Sequence, residues 1–249
     1  VLADLGIRLS RADDGSRAEI VLARPPVNVL DVASLHRLAE AIADAPPAPL
    51  LALRGEARAF SAGVEVAEHE PDPAAIEKML AAMRAVLEAL LHVDAVTVAA
   101  VSGACLGGGA EIAAACDLVV VADDAKVGFP EIRLACFPPA AAAMLSTAIG
   151  GARAADWILT GRTVSGREAA QAGLFARAVP AESLDAAFEE VLQEISQKSR
   201  PALAAARELV REPRRRALAR LLPRAEDAYR GLAGSDDLRR AVRAFLEKR

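Results

Sequence analysis

Residues 96–122 read VTVAAVSGACLGGGAEIAAACDLVVVA, and the fold class turns on them. VTVAAVSG is an apolar run of small and β-branched residues closed by Gly103, which reads as a strand buried on both faces, and DLVVVA reads as a second. Between them, ACLGGGAEIAAAC opens on glycines and continues as a helix. Strand, helix and strand within about thirty residues imply a right-handed parallel crossover, and hence an α/β protein.

Working outward, IRLSRADDGSRAEIVLA alternates apolar and polar residues on both sides of Asp13-Asp14-Gly15, the pattern of a hairpin. Asp31 is placed to cap a helix running through DVASLHRLAEAIADA; LLALRG is a short strand; and Pro73 starts a long helix to about Leu91. Beyond residue 122, AKVGF predicts another short strand, PEIRLACFPP a loop, and the following segments alanine-rich helices that include Trp157 in the core. Strand-like signals stop near Val179. From Ala181 the pattern predicts helices only: one to about Lys198, one after Pro201, one from about Arg215 to Tyr229, and one from Ser235 to the end. The chain therefore divides into an α/β core, residues 1–180, and a helical region, residues 181–249, with no Gly/Ser linker or internal repeat between them.

Composition narrows the function classes. Of 249 residues, 59 are alanine and only eight are aromatic, so the apolar content is small and helical. The longest apolar runs, AVTVAAV from Ala95 and AAAAML from Ala140, fall well short of the roughly 18 residues a membrane span needs, and VLADLGIRLSRADDG lacks the regions of a targeting signal. Cys105, Cys116 and Cys136 are odd in number and without metal-type spacing, which predicts buried thiols, no metal, and a reducing, cytoplasmic setting. Residues 200–249 carry 14 Lys+Arg against 7 Asp+Glu, which points to an anionic partner or a seam between subunits; a solvated helical face explains it equally well. Nucleic acid is disfavoured by the shortage of aromatics for stacking. Only four of the 30 basic residues are lysine, so a phosphate clamp here would be built of arginine.

Gly107-Gly108-Gly109-Ala110-Glu111 follows a strand and opens a helix, where glycine admits a ligand close to the backbone and the first N–H groups face outward. A dinucleotide fingerprint fails because Ile112 stands where its third glycine belongs, and a plain packing role for the glycines stays open. Phe60-Ser61-Ala62-Gly63-Val64 leaves a strand with small residues, and Pro130-Glu131-Ile132 sets a second carboxylate in a loop. Two backbone donors from separate segments make an oxyanion hole, and two carboxylates beside it make an acid and a base.

FSAGVEV, then VSGACLGGGAEIAAACDLVVVADDAKVGFPEIRL, then LTGRTVSGREAAQAGLFARAV, resembles the enoyl-CoA hydratase/isomerase, or crotonase, family over essentially the whole chain. The resemblance implies a spiral of ββα units, an acyl-CoA substrate with no separate cofactor, and trimers or dimers of trimers held partly by the C-terminal helices. Carried over residue by residue, the oxyanion donors fall on the backbone N–H groups of Val64 and Gly108, and the two glutamates of the hydratase branch on Glu111 and Glu131. Glu111 would activate water and Glu131 exchange a proton with carbon. Coenzyme A would meet the backbone of the Asn28-Val29-Leu30 loop and Ala62, with Arg24 and Arg58 as candidate phosphate contacts.

Two departures bear on the acyl group. CFPPAAA replaces the usual glycine-rich segment after the second glutamate, so Phe137, Pro138 and Pro139 are expected to reshape the acyl pocket, and Glu65 stands where an Asp is common, with His69 nearby. Together with VAEHEPD and the ending SDDLRRAVRAFLEKR, these segments look most like the cyclohexa-1,5-dienecarbonyl-CoA hydratases. The implied activity is reversible hydration of an α,β-unsaturated, and potentially cyclic, CoA thioester. Double-bond isomerisation is the alternative, and a non-catalytic or RNA-binding relative of the same fold the remote one.

Overall fold

The computed structural model describes residues 5–56, 59–69 and 72–247. β1 (Ile7–Arg11) and β2 (Arg17–Leu22) form the expected antiparallel hairpin, with Ile7 opposite Leu22. After β3 (Val29–Leu30), Asp31 Oδ1 accepts from Ser34 N–H at 2.8 Å and starts α1 (Val32–Ala43). β4 (Leu50–Gly55), β5 (Ala59–Ser61) and β6 (Gly63–Val64) lead through a 3-10 turn at Val66–His69 to α2 (Pro73–His92), capped by Asp72.

Residues 96–122 form β7 (Val96–Val101), β8 (Ala104–Leu106), α3 (Gly108–Ala115) and β9 (Leu118–Ala122). The sequence reading merged β8 into the helix. Three residues are too short for a period to register, but they pair in parallel with β10 (Lys126–Gly128) on one side and β5 on the other. Each unit thus places its first strand in one sheet and its second in another. β4, β7 and β9 are parallel neighbours in a six-stranded sheet, while β5, β8 and β10 are neighbours in a four-stranded one. This is the crotonase spiral, each turn adding one strand to each sheet. All six residues of β7 are buried, which its alanines and valines permit between a sheet neighbour on either side and helices across it.

A 3-10 turn at Pro130–Leu134 precedes α4 (Pro139–Ile149) and α5 (Gly151–Thr160), which buries Trp157. β11 (Thr163–Ser165), α6 (Gly166–Gln171) and β12 (Arg177–Val179) complete the two sheets. The tail consists of α7 (Leu184–Ser196), α8 (Arg200–Leu232) and α9 (Asp236–Leu246). Where the sequence predicts two helices between residues 201 and 229, one 33-residue helix runs straight through Pro213 and Pro223. Both prolines are on its exposed face, as are Leu209 and Ala219, whose carbonyls lose their helical donors.

The tail is tied into the protomer. Leu184, Phe188, Val191 and Leu192 of α7, with Leu218 and Leu222 of α8, join the main hydrophobic core. Arg211 of α8, fully buried, donates to both oxygens of Asp117 and to the carbonyls of Val93 at 2.8 Å and Ala95 at 2.7 Å. Arg214 donates to the carbonyls of Ala114 and Cys116 at the C-terminal end of α3, where a cation complements the helix dipole. Much of the basic excess of the tail is therefore matched inside the chain, with Arg207 on Asp94 and Arg230 on Glu77 in addition.

Candidate active site

Three consecutive glycines begin α3, and each has its own reason. A Cβ on Gly107, whose φ is +52°, would lie 2.7 Å from Oε1 of Glu131; on Gly108, 2.7 Å from Cγ2 of Val64; and on Gly109, 2.7 Å from the Ser61 carbonyl oxygen. The run thus lets the helix start approach β5, β6 and the Glu131 turn at once. Packing and function are not rival explanations of these glycines, because the close packing is what assembles the site.

Gly108 is the first residue of α3, so its N–H has no partner within the helix and sits at the positive end of the helix dipole. Opposite it, Glu65 N–H donates to Leu30 O at 2.9 Å, and the alternation of a parallel strand turns the Val64 N–H away from β3. Both residues line a cavity of about 290 Å³ whose wall also includes Glu111 and Glu131.

Glu111, one turn into α3, is 3% exposed. Its Oε1 accepts from Ala141 N–H at 2.8 Å, and the neighbouring Ala140 N–H supports the same carboxylate. These are the orphan donors of the first turn of α4, whose Pro138 cap supplies no side-chain acceptor; Glu111 serves in its place from another helix. Burial pushes the Glu111 carboxyl above the ordinary range, and these backbone donors pull it partly back. Glu131 is raised first by burial and then by the negative charge of Glu111, and its Oε2 is out of solvent without a hydrogen bond. Glu111, held by two N–H groups, is the readier of the two to ionise, and Glu131, with a bare oxygen beside that charge, the readier to keep its proton.

The roof of the cavity comes from the tail. Leu222 and Tyr229 of α8 and Phe245 of α9 face Met79, Leu80 and Met83 of α2, and a second apolar cluster of Ile76, Leu238, Val242 and Tyr229 clamps α9 over the site. Phe137 meets Tyr229 at a ring distance of 5.7 Å, tilted by 55°. The Tyr229 hydroxyl interacts with the Cys136 thiol, and Cys136 bonds back to Glu131 O, which braces the turn carrying that glutamate.

The residues singled out in the sequence separate here. Val64, Gly108, Glu111, Glu131, Ala62, Phe137 and Pro139 line one cavity. Pro138 is buried behind the wall, and Glu65 is not among the lining residues; its Oε1 accepts from Ala67 N–H instead. His69 lies in the 3-10 turn, its side chain outside the described part, and Arg58 lies outside the described residues. The Asn28 side chain is structural, a role that does not compete with a backbone contact from its loop to coenzyme A. Fully buried at φ +52°, it accepts from Arg24 N–H at 2.7 Å and donates to the carbonyls of Glu56, Ala59 and Phe60, which holds the loop before β3 against β5. Leu30 is likewise core, Val29 is half-buried, and Arg24 pairs with Asp31 at 2.8 Å. The sequence reading missed the α4 donors and the contributions of Arg84, Glu226 and Tyr229 to the cavity, because residues far apart in the chain show no spacing signal.

The family model for enoyl-CoA hydratase/isomerase matches residues 13–249. The chain belongs to that family. It is 38% identical over 245 residues to the cyclohexa-1,5-dienecarbonyl-CoA hydratase of Thauera aromatica, covering 95% of this chain and 92% of the relative. A probable enoyl-CoA hydratase of Mycobacterium bovis is 35% identical over 235 residues, covering 92% and 91%. Among solved structures, an enoyl-CoA hydratase of Mycobacterium avium subsp. paratuberculosis superposes with a TM-score of 0.88 over 98% of this chain and 96% of that one; at 23% identity it bears on the fold. Relatives named as hydratases support hydro-lyase chemistry on a CoA thioester, and among the described residues no helix is long and apolar enough to cross a membrane.

Proposed function

We propose that this protein adds water reversibly across a double bond conjugated to a CoA thioester, with Glu111 and Glu131 as the acid-base pair. The observation that carries the reading is the pairing itself: two carboxyls with raised pKa values share one cavity with two backbone N–H groups from separate segments. The thioester oxygen would accept from the N–H groups of Val64 and Gly108, and the α3 dipole would favour the negative charge that develops on that oxygen. Glu111, ionised, takes a proton from water as the hydroxyl bonds to the electrophilic carbon of the conjugated system. The displaced electron pair moves to the thioester oxygen, and the enolate is discharged when Glu131 delivers its proton to carbon. Glu111 ends protonated and Glu131 ionised, so an exchange of one proton resets the pair, and the reverse sequence is dehydration. Coenzyme A enters as part of the substrate.

Likeness to the Thauera protein supports a cyclic dienoyl thioester as the finer substrate, and Phe137, Tyr229 and Phe245 line the cavity that would receive the ring. Incubation with linear, branched and cyclic enoyl-CoA thioesters, read by mass spectrometry for the gain of one water, tests the reading. Hydration of at least one thioester that is abolished in Glu131→Gln is expected. Conversion to an isomer without water would replace hydration with double-bond migration.

A further inference from the structure

The cavity is apolar along α2, yet between α2 and α8 its wall carries two opposite charges. Arg84 of α2 and Glu226 of α8 both line it, with Arg84 Nη1 3.1 Å from Glu226 Oε2. The Glu226 side chain is only 3% exposed. Arg230 approaches the same Oε2 at 3.6 Å and is itself held by Glu77 at 2.6 Å. Around the pair the lining is Leu80, Met83, Leu87 and Leu222.

A wholly hydrocarbon acyl group pressed against this wall would strip water from the pair and return nothing to it. A second carboxylate would be brought against Glu226, where Arg84 and Arg230 already face three carboxylates, those of Glu226, Glu77 and Asp227. A hydroxyl satisfies both partners, since its O–H donates to a carboxylate and its oxygen accepts from a guanidinium, with no charge added. Burial already pushes the Glu226 carboxyl up in spite of the two arginines, so the side chain is short of solvation.

We propose that Arg84 and Glu226 are specificity residues that recognise a hydroxyl carried by the acyl group. The proposal rests on the hydratase reading and names its substrate class: hydroxylated enoyl-CoA thioesters.

The test compares short ω-hydroxy-2-enoyl-CoA thioesters with ω-methyl counterparts of equal length, in the full-length protein and in Glu226→Gln and Arg84→Met. The wild-type kcat/KM should favour the hydroxylated member of at least one pair by about ten-fold or more, and each variant should bring that ratio towards one. A wild-type ratio near one at every length would overturn the proposal, as would preference for an ω-carboxylate. A ratio preserved in both variants would leave the pair as a brace between α2 and α8 and equally overturn it. If no thioester is hydrated at all, the hydratase reading fails; calorimetric affinities for saturated ω-hydroxy and ω-methyl acyl-CoA then judge the pocket separately, and equal affinities would sink it.

Discussion

Glu111 and Glu131 carry the chemistry through a difference in their surroundings. Glu111 has backbone donors, Glu131 has a bare oxygen, and the charge of Glu111 adds to burial in raising Glu131. Glu111→Gln and Glu131→Gln should each lower kcat by about 10² to 10⁴ while acyl-CoA affinity, measured by calorimetry, changes little. Both limbs of the wild-type pH-rate profile should lie above the ordinary carboxylate value of 4.5, since both groups are shifted upward. The same shift has a stability sign. A carboxyl with a raised folded pKa binds its proton more tightly in the native state, so wild-type stability should fall as pH rises from about 4.5 through neutrality. In Glu131→Gln, urea melts across that window should show a flatter dependence and a gain of order 1 kcal/mol at neutral pH.

At the scale of elements, the first turns of two helices meet. α3 directs its N-terminus at the candidate oxyanion position, and α4 directs its own at Glu111. Ala141→Pro removes the N–H that binds Glu111 at a first-turn position where proline costs the helix little. Ala141 is buried, so the added ring atoms should lower the melting midpoint by a few degrees; activity should drop by about ten-fold, and the acidic limb of the pH profile should move up, because the ionised carboxylate loses a donor. Gly109→Ala, by contrast, drives a methyl group into the Ser61 backbone and should destabilise by about 1–3 kcal/mol in denaturant melts. The glycine run was legible as a place of close approach. Which neighbour each glycine admits was not, because Ser61, Val64 and Glu131 lie 20 or more residues away in the chain. The PPAA segment likewise read as pocket shape; its main service is to present unpaired N–H groups, which no side-chain pattern records.

At the scale of the molecule, the tail closes the site it follows. α9 packs on the 3-10 turn that carries Glu131 and on the turn after β6, and Phe245 reaches the cavity. A chain ending at Ala233 should keep its α/β core but bind a hydrophobic dye at the uncovered Ile76, Met79 and Leu80, with KM for acyl-CoA raised by about ten-fold or more. Arg211→Ala should cost about 3–5 kcal/mol in equilibrium unfolding, since it takes the bidentate guanidinium from buried Asp117 and leaves only Arg214 at 3.5 Å. An acidic body and a basic tail, read as charge alone, pointed outward to an anionic partner or another subunit; in the fold, much of that charge closes on the body itself.

The sequence by itself determined the alternation of strands and helices, the hairpin, the helix cap at Asp31, the helix start at Pro73, and the place of Glu111 at a helix start, because all of these rest on residues within one or two turns of each other. Its family resemblance extended that to the spiral and to the second glutamate. Only the tertiary structure decided that β8 leaves the first sheet for the second, that Asn28 is a strut, that one helix passes through two prolines, and that Arg84 meets Glu226 in the cavity. Those outcomes depend on burial and on partners distant in the chain. Periodicity reports which face of an element is apolar, and it carries no information about which other element that face will meet.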